Sequence, residues 1–280
     1  GLVNAGIGMY AMHTNFDAAD GGINDVLAER LGLTDTSILA PTHTGKMFKL
    51  VTFVPGEAVD AVRGALSEAG AGSIGDYTSC SFQSPGTGMF MPEPGAEPYA
   101  GEVGTLRKEP EFRLEMLVSE AVLHASISSM VEAHPYEEVA YDVIPLWNDG
   151  DVHGLGRYGR LRNPMTFEGL CEMVRDVLEV EDARVAGDPG ARIETVAVLG
   201  GSGGSEVARA KSVGADAYVT GDVKHSDMLH ARAVGLNLID ATHFATERPG
   251  MVELAPKLYQ ILSVEEVTVE YVDDWTLSRG

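Results

Sequence analysis

Two rhythms of apolar and polar residues run along this chain, and they change near Gly150. Ile7–Met12 is an unbroken apolar run, the pattern of a parallel strand buried on both faces. His13–Gly22 is polar and ends on Gly-Gly, which predicts a loop. Asn24 stands where it can cap a helix to Leu31, with Gly32 as its stop. Thr34–Gly45 reads as irregular and turn-rich. Lys49–Val54 alternates as a strand, and Pro55-Gly56 turns the chain. Val59, Val62, Ala65, Leu66 and Ala69 recur at helical spacing over Glu57–Ala69, and Gly70 ends that helix. Strands follow at Ile74–Phe82 and Phe112–Val118, separated by a Gly- and Pro-rich loop, Ser84–Gly104. Ser119 can cap a helix to Ala133, which His134-Pro135 terminates, and Val139–Leu146 is again a strand. The order β-α-β, loop, β-α-β is the split pattern of a ferredoxin-like unit.

Beyond Gly150, strands alternate with longer helices. A helix over Thr166–Leu178 leads to a strand at Ile193–Leu199, the loop Gly200–Ser205 and a helix from Glu206. Ala217–Thr220 is a strand, Lys224–Val234 a helix, and Leu236–Asp240 a strand. Gly250–Leu262 reads as a helix and Glu266–Val272 as a last strand. This order predicts a doubly wound, mixed or parallel sheet. The expected fold class is therefore an α/β core with an inserted ferredoxin-like α+β domain. Residues 1–47 and 148–280 would form the core and 48–147 the insert. The chain opens at Gly1 almost directly on the apolar run, so upstream sequence is expected.

Composition narrows the function classes. With 20 Lys plus Arg against 42 Asp plus Glu, the formal charge is −22. Such a surface repels phosphate backbones and makes nucleic acid an unlikely partner. No apolar run reaches the roughly 18–20 residues of a membrane helix, and no signal peptide is evident. Cys80 and Cys171 show no motif spacing, which fits a reducing cytoplasm.

Ligands of open α/β sheets bind beyond the carboxyl ends of strands. Two H-x-x-x-[D/E] pairs stand at such ends: His13 with Asp17 after the first apolar run, and His243 with Glu247 after LNLIDA. On a helix or tight loop that spacing brings imidazole and carboxylate to one side. The pairing suits zinc, iron or manganese, and a carboxylate such as Glu247 can bridge two metals. The competing reading is that His13 and His243 cap loop backbone. His225, after Gly221-Asp222, is a further candidate for the same crevice, whereas His134 reads first as a turn residue or subunit contact. The loop GGSGGS follows a strand and opens a helix, so Gly201, Ser202 and Gly203 are candidates to hold a phosphate or nucleotide. Tight helix–strand packing is the alternative, since neither a P-loop nor a full G-x-G-x-x-G is present.

Taken together, YAMHTNFDAADGGINDVLAERLGL, GGSGGSEVARAKSVGADAYVTGDVKHSDMLHARAVGLNLIDATHFATERPG, GAGSIGDYTSCSF and HPYEEVAYDVIPL resemble the Nif-three-like dinuclear-metal-centre proteins, known also as GTP cyclohydrolase 1 type 2 homologues. The resemblance is to the long bacterial form with a PII/CutA-like insert. It implies that His13, Asp17, His243 and Glu247 contribute to two divalent metal ions per subunit, in a toroidal homo-hexamer. The family's further ligands come from an adjacent His-His pair, which this sequence does not contain. The expected activity is metal-dependent hydrolysis of a small molecule or nucleotide. A non-catalytic metal-binding scaffold or regulator, whose insert senses a ligand or partner, is the alternative. No catalytic side chain beyond the ligands is singled out.

Overall fold

A computed structural model describes residues 1–262 together with 268, 270 and 272. The strand expected over Glu266–Val272 falls largely outside the described residues. The elements are α1 (Thr14–Ala18), α2 (Ile23–Arg30), β1 (Leu33–Pro55), α3 (Val59–Glu68), β2 (Ser81–Phe90), β3 (Arg107–Ser119), α4 (Leu123–Ala133), β4 (Tyr141–Thr166), α5 (Phe167–Leu178), β5 (Arg184–Ala186), β6 (Arg192–Ser202), α6 (Val207–Ser212), β7 (Ala217–Gly221), α7 (His225–Val234), β8 (Asn237–Asp240) and α8 (His243–Leu262). They separate into two compact units, Gly1–His43 with His153–Gly280, and Thr44–Val152.

In the first unit, β6, β7 and β8 are parallel neighbours. Antiparallel β4 and β5 flank them on β6 and β8 respectively. Successive strand residues turn to opposite faces, and here both faces are buried. Val196, Val198, Ala217, Val219 and Ile239 pack against Leu27 of α2 and Leu31 just after it, Leu170 and Val174 of α5, and Ala245 of α8. Their neighbours Ala197, Leu199, Tyr218 and Leu238 pack against Val207 and Ala210 of α6 and Ala231 of α7. Helices on both faces explain why these strands read as continuous apolar runs rather than alternating ones. Each fully buried Val, Leu or Ile side chain contributes roughly 1.5–3 kcal/mol of transfer free energy to that arrangement.

In the second unit, β1 and β2 both pair antiparallel with β3, and Lys49–Val54 lies opposite Leu117–Phe112. The helices α3 and α4 cover one face, where Leu50, Val54, Val62, Leu66, Leu114, Met116, Val118 and Met130 form the core. With strand order β2-β3-β1-β4, the chain order β-α-β-β-α-β gives the split β-α-β arrangement.

The mixed α/β class holds, and several local expectations are corrected. Ile7–Met12 forms no strand; Ile7, Met9 and Tyr10 are 55%, 81% and 80% exposed. An apolar run becomes a strand only where another strand supplies backbone partners, and none of the described strands pairs with it. Thr34–Gly45 is regular strand within β1, because pairing partners override its polar, turn-rich composition. The strand expected at Ile74–Phe82 is displaced to Ser81–Phe90, into the expected loop Ser84–Gly104; pairing with β3 fixes the register despite Pro85, Gly86 and Gly88. The expected loop His13–Gly22 contains the short helix α1. Finally, α8 begins at His243 rather than Gly250 and continues through Pro249. Among the described residues, no helix is long and apolar enough to cross a membrane.

Candidate metal centre

Three chain segments end together at the carboxyl edge of β6, β7 and β8. The first is the glycine loop that finishes β6. Gly201 is left-handed, at φ 73. A Cβ there would fall 2.5 Å from Glu247 Oε1 and 3.2 Å from His243 Nε2. Only glycine allows the loop to approach these side chains so closely. Three amides of this loop are committed within the protein. Gly200 N–H donates to Asn24 Oδ1 (2.9 Å) and Gly201 N–H to Thr246 Oγ1 (2.9 Å). Gly203 N–H donates to Gly221 O (3.4 Å), and the Gly203 carbonyl accepts from the Tyr218 hydroxyl (2.9 Å). Ser202 is the exposed residue of the candidate trio, whereas Gly201 and Gly203 are buried.

The second segment is the turn after β7. Asp222 and Thr242, which follow β7 and β8, both have positive φ, 49 and 70. Such values are uncommon for non-glycine residues, and for a β-branched one they mark real strain held by the surroundings. Asp240 helps to hold them: its carboxylate accepts from Val223 N–H (3.1 Å), Thr242 N–H (3.2 Å) and the Arg184 guanidinium. Gly221 packs so tightly that a Cβ would lie 2.6 Å from the His243 nitrogen.

The third segment is the first turn of α8. His243 and Glu247 are four residues apart on one helix and therefore on one face. His243 Nε2 stands 3.0 Å from Glu247 Oε1, and His243 Nδ1 stands 2.6 Å from Asp222 Oδ2. Burial disfavours the imidazolium, yet the Asp222 hydrogen bond and the charges of Glu247 and Asp222 together raise the His243 pKa above its ordinary value.

The amino-terminal pair meets this group through Asp17. Burial and the charge of Glu247 push the Asp17 carboxyl upward, while the imidazoles of His13 and His243 pull it down. The other three predicted side chains, His13, His243 and Glu247, thus act on the Asp17 carboxylate, although they come from opposite ends of the sequence. His13 itself is exposed and sits at the N-cap of α1. Asn24 positions Asp17. Fully buried, its amide donates to the Asp17 carbonyl (2.8 Å) and its oxygen accepts from Gly200. His225 starts α7 and is exposed.

Among the described residues, no three His, Cys, Asp or Glu side chains close to metal-holding distance. The donor chemistry nevertheless fits a cation. If Nδ1–H is donated to Asp222, the Nε2 lone pair faces a second carboxylate, and that contact is attractive only with a proton or another cation between them. Two carboxylates and two imidazoles suit zinc, iron or manganese. Sequence reasoning places neither Asp222 nor Asn24 at the site; it reads Asn24 only as a helix cap. The signal for Asp222 is its place directly after an apolar strand, β7, much as His243 follows the next strand, β8.

Comparison with known proteins agrees with this reading of the fold. The model of the Duf34/NIF3 (NGG1p interacting factor 3) family matches residues 1–274. A GTP cyclohydrolase 1 type 2 homolog of Bacillus subtilis is 47% identical over 239 residues, 85% of this chain and 64% of its own length. The protein so named in Mycobacterium leprae is 39% identical over 99% of this chain and 74% of its own. The chain thus spans a little under two thirds of the Bacillus relative. The crystal structure of a Bacillus cereus protein related to NIF3 superposes with a TM-score of 0.87 at 40% identity, covering 97% of this chain and 75% of that one. With the family model spanning nearly all of its length and relatives this similar, the chain belongs to the Duf34/NIF3 family.

Proposed function

We propose that His13, Asp17, His243 and Glu247 are ligands to a pair of divalent metal ions, zinc, iron or manganese, and that the assembled protein is a metal-dependent hydrolase of a small molecule or nucleotide. One observation carries the reading: His243 Nε2 and Glu247 Oε1 face each other at 3.0 Å while Asp222 occupies the other ring nitrogen. A bound metal pair supplies Lewis acidity and a water acidified to a pKa of about 7. The chain's own residues do the positioning. Asp222 fixes the ring and tautomer of His243, Gly201 clears the space in front of Glu247, and Asn24 ties the Asp17 turn to the glycine loop. Ser202, exposed at the end of β6, is the group of the Gly201, Ser202 and Gly203 trio open to a phosphate. The cyclohydrolase name of the relatives supports a purine nucleotide as the first substrate to try, since opening such a ring needs an activated water. The proposed setting is a cytoplasmic homo-hexamer, and the free state of Cys80 and Cys171 suits a reducing compartment.

The test is metal content and turnover of full-length protein. Glu247→Gln keeps size but removes charge, and it is expected to lose about one metal per subunit and most hydrolysis of a nucleotide panel. Glu253→Gln, whose parent carboxylate accepts from Arg30 at 3.1 Å on the same helix, is the comparison. Unchanged metal content in Glu247→Gln removes Glu247 from the site. A second reading, a non-catalytic metal-binding regulator, is favoured by the separate cavity in the inserted unit. Full metal content without turnover of any nucleotide selects it.

A further inference from the structure

Among the described residues, no helix lies over the second sheet face of the inserted unit. Phe53 on β1 and Glu111 and Arg113 on β3 alternate with the core residues Val54, Leu114 and Met116, so they point away from α3 and α4. Instead of a helix, the β2 segment, Pro98-Tyr99 and Tyr136–Glu138 wall a cavity of about 880 Å³. That is within the range of small-molecule sites, roughly 300–1,000 Å³.

We propose that this cavity binds a hydrophobic organic cation, an amine or quaternary ammonium carried on an apolar body. Aromatic rings and one buried carboxylate make the case. Tyr136 packs against Phe90 and Tyr99 with ring centroids 6.1 and 5.7 Å apart and planes tilted by 59° and 48°. Tilted rings present π faces in different directions, the arrangement that attracts alkylated ammonium groups. Glu111 lines the same cavity and is only 8% exposed. It accepts a hydrogen bond from the Tyr136 hydroxyl through Oε1 at 2.7 Å. Burial and Glu111 push the Tyr136 phenol upward, so it remains a neutral donor.

Charge decides between a cation and an anion. The lining holds three carboxylates, Glu111, Glu137 and Glu138, against one guanidinium, Arg113. That guanidinium is already engaged: it pairs with Glu115 at 2.7 Å and lies 5.8 Å from the Phe53 ring centroid. A phosphate or carboxylate entering here would meet uncompensated negative charge. The strand opposite also leaves the carboxylate clear. A Cβ on Gly88 would fall 2.1 Å from Glu111 Oε2, so any other residue there would collide with the anion or displace it.

Two probes of nearly equal shape test the proposal on the full chain: 4-hydroxyphenyltrimethylammonium and its neutral carbon isostere 4-tert-butylphenol. Calorimetry is expected to show the cation binding about tenfold more tightly. Glu111→Gln, which keeps an acceptor for Tyr136, should cut that preference by about threefold or more with an unchanged circular dichroism spectrum. Phe90→Leu, which keeps apolar bulk without a π face, should weaken binding of the cation and leave that of 4-tert-butylphenol unchanged. Equal affinity for the two probes, a cation preference undiminished in Glu111→Gln, or no binding of either at millimolar concentration overturns it. These outcomes are separate from metal content and turnover, so the two proposals fail independently.

Discussion

His243 Nδ1 and Asp222 Oδ2 are 2.6 Å apart, and the two residues follow neighbouring parallel strands, β8 and β7. The contact is a product of the sheet: parallel strands in register deliver the residues after them to one edge. A carboxylate on the far nitrogen of an imidazole fixes the ring's rotation and leaves Nε2 as the donor atom. Asp222 reaches this place only by adopting a left-handed backbone, at φ 49.

Asp222→Asn is therefore expected to weaken metal binding by full-length protein about 10–100-fold with little loss of fold. Competition with a chelator measures it. The structural alternative, that Asp222 only shapes the turn, predicts that Asp222→Gly, which tolerates φ 49 better, binds metal like the parent. Loss of metal in both variants supports positioning; parental affinity in both removes Asp222 from the site.

A second prediction concerns the buried Arg157 of β4, which is 3% exposed. Its guanidinium donates to both carboxylate oxygens of Asp25, with Nη2 to Oδ2 at 2.9 Å, and Nη1 donates to the carbonyls of Gly154 and Gly156, each at 2.9 Å. Asp25 also accepts from Gly21 N–H at 2.7 Å. The pair anchors the start of α2, and with it Asn24 and the Asp17 turn. Asp25→Ala leaves the buried guanidinium with only the exposed Asp20 carboxylate, 3.9 Å away, as counter-charge, and should cost about 3 kcal/mol of unfolding free energy. Arg157→Met with Asp25→Ala should recover much of it, because no charge is then buried. Urea unfolding of both variants is the measurement; a loss below about 1 kcal/mol in Asp25→Ala would show the pair to be dispensable.

How far the sequence discloses this arrangement depends on whether a feature is local. The apolar runs of β6, β7 and β8 are local, and the double burial they imply is found. The spacing of His243 and Glu247 is local too, and α8 places both on its first turn. Ile7–Met12 has the same composition as a central strand, but a strand needs a partner, and composition does not report one. The polar stretch Thr34–Gly45 errs in the opposite direction, since neighbouring backbone makes a strand of residues with little propensity for it. Asn24 looks like a helix cap by type and position. Gly22 precedes the helix instead, and the buried Asn24 amide joins two loops that are remote in sequence. The Glu111 cavity was not legible at all, because its walls come from β1, β2, β3 and the His134–Glu138 turn.

That turn supplies the last prediction. His134 is 7% exposed; its Nε2 lies 3.1 Å from the Phe53 carbonyl and its Nδ1 accepts from the Tyr136 N–H at 3.1 Å. A ring that donates through one nitrogen and accepts through the other is neutral, and protonation at Nδ1 would set two N–H groups against each other. Burial accordingly lowers the His134 pKa below the ordinary imidazole value, with the Phe53 hydrogen bond and the charge of Glu111 only partly opposing it. The sign follows from linkage. Below the unfolded pKa, the unfolded chain takes up a proton that the folded chain refuses, so folding stability decreases as pH decreases. The loss begins as pH drops through about 6.5 and levels off once the folded histidine also titrates. Above that range the contribution is fully present. His134→Gln can supply the same donor and acceptor without titrating. Stability measured by urea unfolding from pH 8 to pH 5 should therefore fall more steeply in the parent than in His134→Gln. Parallel curves for the two proteins would show that His134 is protonated as readily in the folded chain as in the unfolded one, and that the Tyr136 contact does not hold it neutral.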